Sequence, residues 1–314
     1  MNYLQQAYKG ENEPWKVILT VLVVSGLFIF NLIFLFFFAD GFDVIEEQKK
    51  LLELVPSRNF WLAFNLLPFA FLLLFLFLFV KFLHKRSLMS LTTARDKIDW
   101  KRVFFSFSLI TVITIGLFMV SYFSDPSSVT FQLDPLKFTI LVVVSLLLFP
   151  LQIGLEEYLF RGYLMQQLAI VVKNRWFPLI VTSVMFGVLH SGNPEVDEMG
   201  PIVMIFYIGT GLLLGIMTLM DDGLELALGF HFGNNLMASL LVTSDWSALQ
   251  TDALFKSTAT EASTHISEIL IPILIVYPII LLIMAKKYKW KHWKANLFGR
   301  VEEPPKEDYK IIGE

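Results

Sequence analysis

The chain has 314 residues, of which 55% are hydrophobic and 17% charged, with a mean hydropathy of +0.63 and a net charge of -3. Ordinary soluble domains carry roughly 25% charged residues, and disorder needs low hydrophobicity with high net charge, so both classes are excluded. A net acidic chain lacks the basic footprint of a nucleic-acid partner, and with no Cys there are no disulfides, thiolate metal sites or Cys nucleophiles.

A bilayer core about 30 Å thick requires roughly 20 apolar residues per helix. The sequence predicts an all-α polytopic membrane protein with about eight spans: 15–38, 60–83, 103–123, 138 to at least 155, 176–190, 201–220, 223–243 and 269–285. The first apolar run is too long for a signal-peptide core, and no small-residue cleavage site follows it, so it reads as a permanent span. Trp15, Trp61, Trp100, Trp176 and Trp290 lie near span ends, where indole rings prefer to sit. With both termini cytoplasmic, twenty of the 25 Lys and Arg residues fall inside, leaving only Lys49, Lys50, Arg58, Lys137 and Lys256 outside. The positive-inside rule favours this orientation in a plasma (inner) membrane.

Four regions follow: three N-terminal spans with their loops (1–137), a catalytic core (138–245), an outer loop with the last span (246–285), and a polar, partly disordered cytoplasmic tail (286–314). The acidic first outer loop, 40–53, reads as a solvated segment. So does the short acidic turn with Asp221, Asp222 and Glu225, whose acids suit a helix N-terminus.

Ionisable residues at membrane depth are costly and tend to mark function. Here they concentrate in one half of the chain. Glu156, Glu157 and Arg161 end the fourth apolar run, His190 ends the fifth, and His231 lies in the seventh with Asn234 and Asn235. His84, His265 and His292 fall in loops or the tail. Glu157 and Arg161, Phe186 and His190, and His231 and Asn235 are each four apart, so each pair shares a helix face. Gly187, Gly229 and Gly233 permit close helix approach beside them. Taken singly, Glu157–Arg161 reads as a structural ion pair and Asn235 as interhelical glue. Together the three segments point to one polar cavity among spans four to seven.

These residues resemble a known family. Glu-Glu-Tyr-Leu-Phe-Arg at 156–161, Phe-Gly-Val-Leu-His at 186–190 and His-Phe-Gly-Asn-Asn at 231–235 match EExxxR, FxxxH and HxxxN, in order. Those are the motifs of the CPBP family (CAAX proteases and bacteriocin-processing enzymes, also called ABI), which includes the type II CAAX prenyl endopeptidases. The resemblance implies an intramembrane endopeptidase acting on a membrane-associated peptide or protein. It implies Glu156 as the base that activates a water, His190 as the residue holding that water, and His231 and Asn235 as the oxyanion hole. Glu157, Arg161 and Phe186 would be supporting residues. Amide hydrolysis needs these parts: an activated water, and donors aimed at the developing oxyanion.

A metal-dependent version would use Glu156, His190 and His231 as Zn²⁺ ligands with a water in the fourth position. No HExxH helix is present, and the reading without a cofactor is preferred. Two other classes are consistent with buried Glu and His: a non-catalytic membrane immunity or scaffold protein, which should tolerate Gln at position 156, and a proton-coupled transporter, against which the absence of inverted repeats counts.

Simple span limits place Glu156 near the inner face, His190 near the outer face and His231 in the inner half, whereas one site needs one depth. A single helix over 138–172 would be about 52 Å long, so a strong tilt, or a break near Pro150 or Gly154, is expected.

Overall fold

The computed structural model describes residues 1–38, 43–259 and 266–312. Its helices follow from the apolar runs and their punctuation. Helix α1 spans Pro14–Phe37, with Pro14 in the first turn, where its missing N–H costs nothing. Helix α2 is Val44–Leu54, capped by the Asp43 carboxylate, and α3 is Arg58–Leu78, capped by the Ser57 hydroxyl and extended by a π-helical turn to Leu83. The short α4 (Met89–Thr92) precedes α5 (Trp100–Ser124). Helix α6, Pro135–Glu157, is capped by Asp134, passes through a π-helical segment, Tyr158–Leu164, and continues as α7, Met165–Val172. Then come α8 (Trp176–Val188), α9 (Pro194–Met199), α10 (Met204–Asp221), α11 (Glu225–Leu240), α12 (Ile266–Ile271), α13 (Tyr277–Tyr288) and α14 (Trp293–Phe298). Three short strands, β1 (Val129–Phe131), β2 (Val242–Thr243) and β3 (Phe255–Ser257), form a sheet of order β1-β3-β2 on the loops. The four residues 39–42, including Asp40 of the acidic loop, and His265 lie outside the described residues.

All eight predicted apolar segments contain helix, and among the described residues six are long and apolar enough to cross a membrane. The chain is an all-α polytopic integral membrane protein. Its outer faces carry lipid-type surface, such as Leu22, Phe30 and Phe37 on α1 and Phe104 and Val112 on α5. The two segments that fall short, α8 and α11, are the ones that carry the FxxxH and HxxxN motifs.

This resolves the depth conflict. No break occurs at Pro150 or Gly154; Pro135–Val172 runs on as 38 helical residues, with its irregularity at the π-helical segment. At 1.5 Å per residue it is about 57 Å long, well beyond the hydrocarbon core. Its far end is sheathed in protein: the N-terminal 3-10 turn, Leu4–Lys9, packs on α7, and Tyr3, Leu4, Ala7, Met165 and Ala169 share one apolar cluster. The Tyr3 hydroxyl donates to the carbonyl of Leu91, at 2.5 Å, and of Arg161, at 3.3 Å. By contrast α8, at 13 residues, rises only about 20 Å. It is therefore too short to cross a core of about 30 Å, and His190 follows its end.

Two other expectations are corrected, and His84, in a loop as expected, proves to be buried there. The acidic turn is not solvated: Asp221 and Glu225 are buried and bonded to Arg95 at 3.2 and 2.8 Å, and Asp221 also binds Arg102 at 2.7 Å. The partners lie well over a hundred residues upstream, so the pairing has no local sequence signature. His84 is buried, donating through Nδ1 to the Glu11 carbonyl at 2.7 Å and meeting the Tyr163 and Thr20 hydroxyls through Nε2. The described part of the tail is folded back. Val301 is buried and donates its N–H to Lys173 O at 3.1 Å, and Ile312 donates to Lys85 O at 3.1 Å.

Glycines set the closest helix contacts. A Cβ at Gly229 would collide with the Val103 carbonyl on α5, and one at Gly211 would lie 2.8 Å from the Ser183 carbonyl on α8. Backbone cannot yield as a side-chain tip can. Gly229→Ala is expected to destabilise by about 3 kcal/mol, the upper range for overpacking. Gly116→Ala, with nothing within 4 Å, should be neutral or slightly stabilising. Thermal unfolding of both variants in detergent checks the contrast.

Candidate active site

The site is assembled where α6, α8 and α11 meet. Its foundation is a buried triad. Glu157 and Arg161 are both fully buried, one helical turn apart, and joined by a 2.9 Å bond from Arg161 Nη1 to Glu157 Oε1. Arg161 Nη2 donates to Gly211 O on α10 at 3.0 Å, and the guanidinium lies 4.5 Å from the Phe186 ring centre. The same Glu157 oxygen accepts from His231 Nδ1 at 2.8 Å. An ionised carboxylate only accepts, so the proton lies on Nδ1. That fixes the ring with Nε2 toward Glu156 Oε2, 3.5 Å away.

Glu156 is held from its other side. Gln152 Nε2 donates to Glu156 Oε1 at 2.7 Å, Asn235 Nδ2 donates to Gln152 Oε1 at 3.1 Å, and Asn234 Nδ2 donates to Asn235 Oδ1 at 3.2 Å. One hydrogen-bonded chain thus runs from α11 to the carboxylate. Glu156 Oε2 has no hydrogen-bond donor among the described residues. Because an amide nitrogen carries two hydrogens, Asn235 keeps one donor beyond its bond to Gln152.

His190 approaches from the end of α8. Its Nδ1 donates to Phe186 O at 2.8 Å, which leaves Nε2 as an acceptor, and its ring stacks on Tyr207 with centres 4.4 Å apart. Phe186 packs edge-on to both His231 and Phe160.

Glu156, Gln152, Phe186, His190, Asn234 and Asn235 line one cavity of about 600 Å³. The carboxylate and imidazole that simple span limits would set on opposite faces therefore share one space. His231 is not on its wall; it lies behind Glu156. Leu27, Phe28 and Asn31 of α1 and Phe64, Asn65 and Pro68 of α3 also line it, so the first spans contribute to the site. Gln152, Tyr207, Asn31, Asn65 and Glu195 went unassigned in the sequence. Only Gln152 carried a signal, standing four residues before Glu156 on the same helix face. Glu195, on α9 at one end of the cavity, accepts from Ala248 N–H at 2.8 Å, and burial pushes its carboxyl above the usual range.

No three His, Asp or Glu side chains among the described residues converge as a metal-ligand set. Both imidazoles donate through Nδ1, to Phe186 O and to Glu157, which leaves both Nε2 atoms unprotonated, a pattern that suits a metal ligand as well as an acceptor for water. His190 does not converge with Glu156 and His231 on one metal position among the described residues, and no step below runs through a metal.

The protein is thus a polytopic membrane protein whose cavity combines a carboxylate, an imidazole and carboxamides. Residues 135–237 match the family described as type II CAAX prenyl endopeptidase Rce1-like, so this segment is an Rce1-like domain and the resemblance to the CPBP proteases stands. At the level of the family, the activity is that of a CAAX-type membrane protease. The chain is also 28% identical over 250 residues to the uncharacterized protein YyaK of Bacillus subtilis (strain 168), covering 77% of this chain and 83% of that one. No solved structure matches the chain.

Proposed function

We propose that the protein is an intramembrane endopeptidase, oriented in the plasma membrane with both termini cytoplasmic, that hydrolyses a peptide bond of a membrane-associated substrate with a glutamate-activated water. The observation that carries this reading is the shared cavity. Glu156 and His190 line it from two helices, and Asn235 lines it from a third.

Glu156 is the base: it takes a proton from water as the oxygen attacks the carbonyl carbon. His190 Nε2, an acceptor, holds the second hydrogen of that water. Asn235 donates its remaining amide hydrogen to the developing oxyanion. His231 lies off the cavity wall with its proton on Nδ1, so it acts on Glu156, and the oxyanion donor facing the substrate space is Asn235. The Glu157–Arg161 pair anchors His231. The proton on Glu156 then passes to the leaving amine, which restores the carboxylate.

Losing one oxyanion donor costs about 10²–10³ in kcat in other hydrolases. Asn235→Ala is expected to lower kcat by about 10²-fold with a small change in KM. A chelator should leave the wild-type rate unchanged. Kinetics on a membrane-anchored peptide check both. A rate lost on chelation and restored by Zn²⁺ would replace the mechanism with a metal-dependent one.

A further inference from the structure

Glu195 is a partly buried carboxylate that the mechanism does not use. It lines the site cavity, and together with Ala238 and Leu249 it also lines a second cavity of about 340 Å³. The two spaces therefore meet at this side chain. Oε1 is fixed by the Ala248 N–H, whereas Oε2 is buried without a hydrogen-bond donor. A buried carboxylate oxygen left unpaired is costly, and a rotation of the side chain that turns it into the adjoining cavity toward a cation removes that cost.

The second cavity fits the same chemistry. Trp246 lines it, with Ser244, Ser247 and Ser257, and an indole face attracts cations. No Lys or Arg lines either cavity. The nearby Lys256 on β3 is engaged by Asp245 at 2.7 Å.

We propose that the junction of the two cavities at Glu195 and Trp246 is a specificity subsite that takes the Lys or Arg side chain of a peptide substrate whose scissile bond lies at Glu156. This deepens the endopeptidase reading and rests on it for the identity of the ligand as a substrate. The carboxylate supplies the ionic contact and the indole the apolar and cation–π contact to the alkyl stem and head group.

The test uses the full-length protein in phosphatidylcholine vesicles with lipid-anchored, N-acetylated peptides that differ only in Lys or norleucine at successive positions. Binding is measured first on Glu156→Gln, so that turnover plays no part. At one position the Lys peptide should bind at least about tenfold more tightly than its norleucine partner, in the range of buried charge pairs. Adding Glu195→Gln should erase that ratio and leave norleucine binding unchanged, and Trp246→Leu should reduce it.

With Glu156 intact, Glu195→Gln should raise KM for the Lys peptide and leave kcat alone. A Lys to norleucine ratio near one, or one that survives Glu195→Gln, overturns the subsite. Preferential Lys binding with no hydrolysis of any peptide would keep the cation site and overturn the peptidase reading. Glu156-dependent hydrolysis with no Lys preference would do the reverse.

Discussion

Glu156→Gln is expected to lower hydrolysis by about three orders of magnitude while the protein stays folded. General-base catalysis contributes roughly 10²–10⁴-fold, and a glutamine amide cannot accept the proton from water. The substitution preserves side-chain size and an oxygen able to accept from Gln152 Nε2, which now bonds Glu156 Oε1 at 2.7 Å. The unfolding midpoint should therefore move little. Single-turnover rates and thermal unfolding, measured on one preparation, separate lost chemistry from lost structure. A variant that retained more than about a tenth of the wild-type rate would remove Glu156 from the role of base.

The largest effect on stability is expected one residue further on. Arg161→Met would leave Glu157 fully buried without its cation, and Glu157→Leu would strand Arg161 and release His231 Nδ1. Breaking a buried pair by removing one partner costs about 3–5 kcal/mol, whereas replacing both by apolar side chains is often close to neutral. Each single variant should therefore unfold at a markedly lower temperature, and the double variant Glu157→Leu/Arg161→Met should recover much of the loss. Activity should not recover with it, because His231 would still lack the carboxylate that sets its tautomer. Equal unfolding temperatures for the singles and the double would contradict the assignment of this pair as the anchor of the site.

Much of this was legible in the chain. Apolar runs near twenty residues marked the spans, and three four-residue spacings marked the faces that meet. Glu157–Arg161 forms the ion pair its spacing allowed, and Gly187, Gly229 and Gly233 lie where helices touch closely. The features missed depend on distance in space rather than in sequence. Arg95 and Arg102 reach Asp221 across more than a hundred residues and turn an apparently solvated turn into a buried network. The tail reads as free because its anchors are backbone bonds, Val301 to Lys173 and Ile312 to Lys85, that side-chain pattern does not encode. The common depth of Glu156 and His190 was hidden by the assumption of equal spans. It depends on a 38-residue helix sheathed by the N-terminal turn, and on a 13-residue helix that ends early. Asn31 and Asn65 sit in spans with little other chemistry, and only the fold shows them lining the same cavity as Glu156.

The central claim is that this cavity cuts peptide bonds. The most direct measurement compares new peptide termini in membranes carrying the wild-type chain with those carrying Glu156→Gln at matched expression. The account predicts a set of termini present only with the wild type and unchanged by a chelator. Identical sets of termini, with the cellular effect of the protein preserved in Glu156→Gln, would contradict it and point to a membrane scaffold instead.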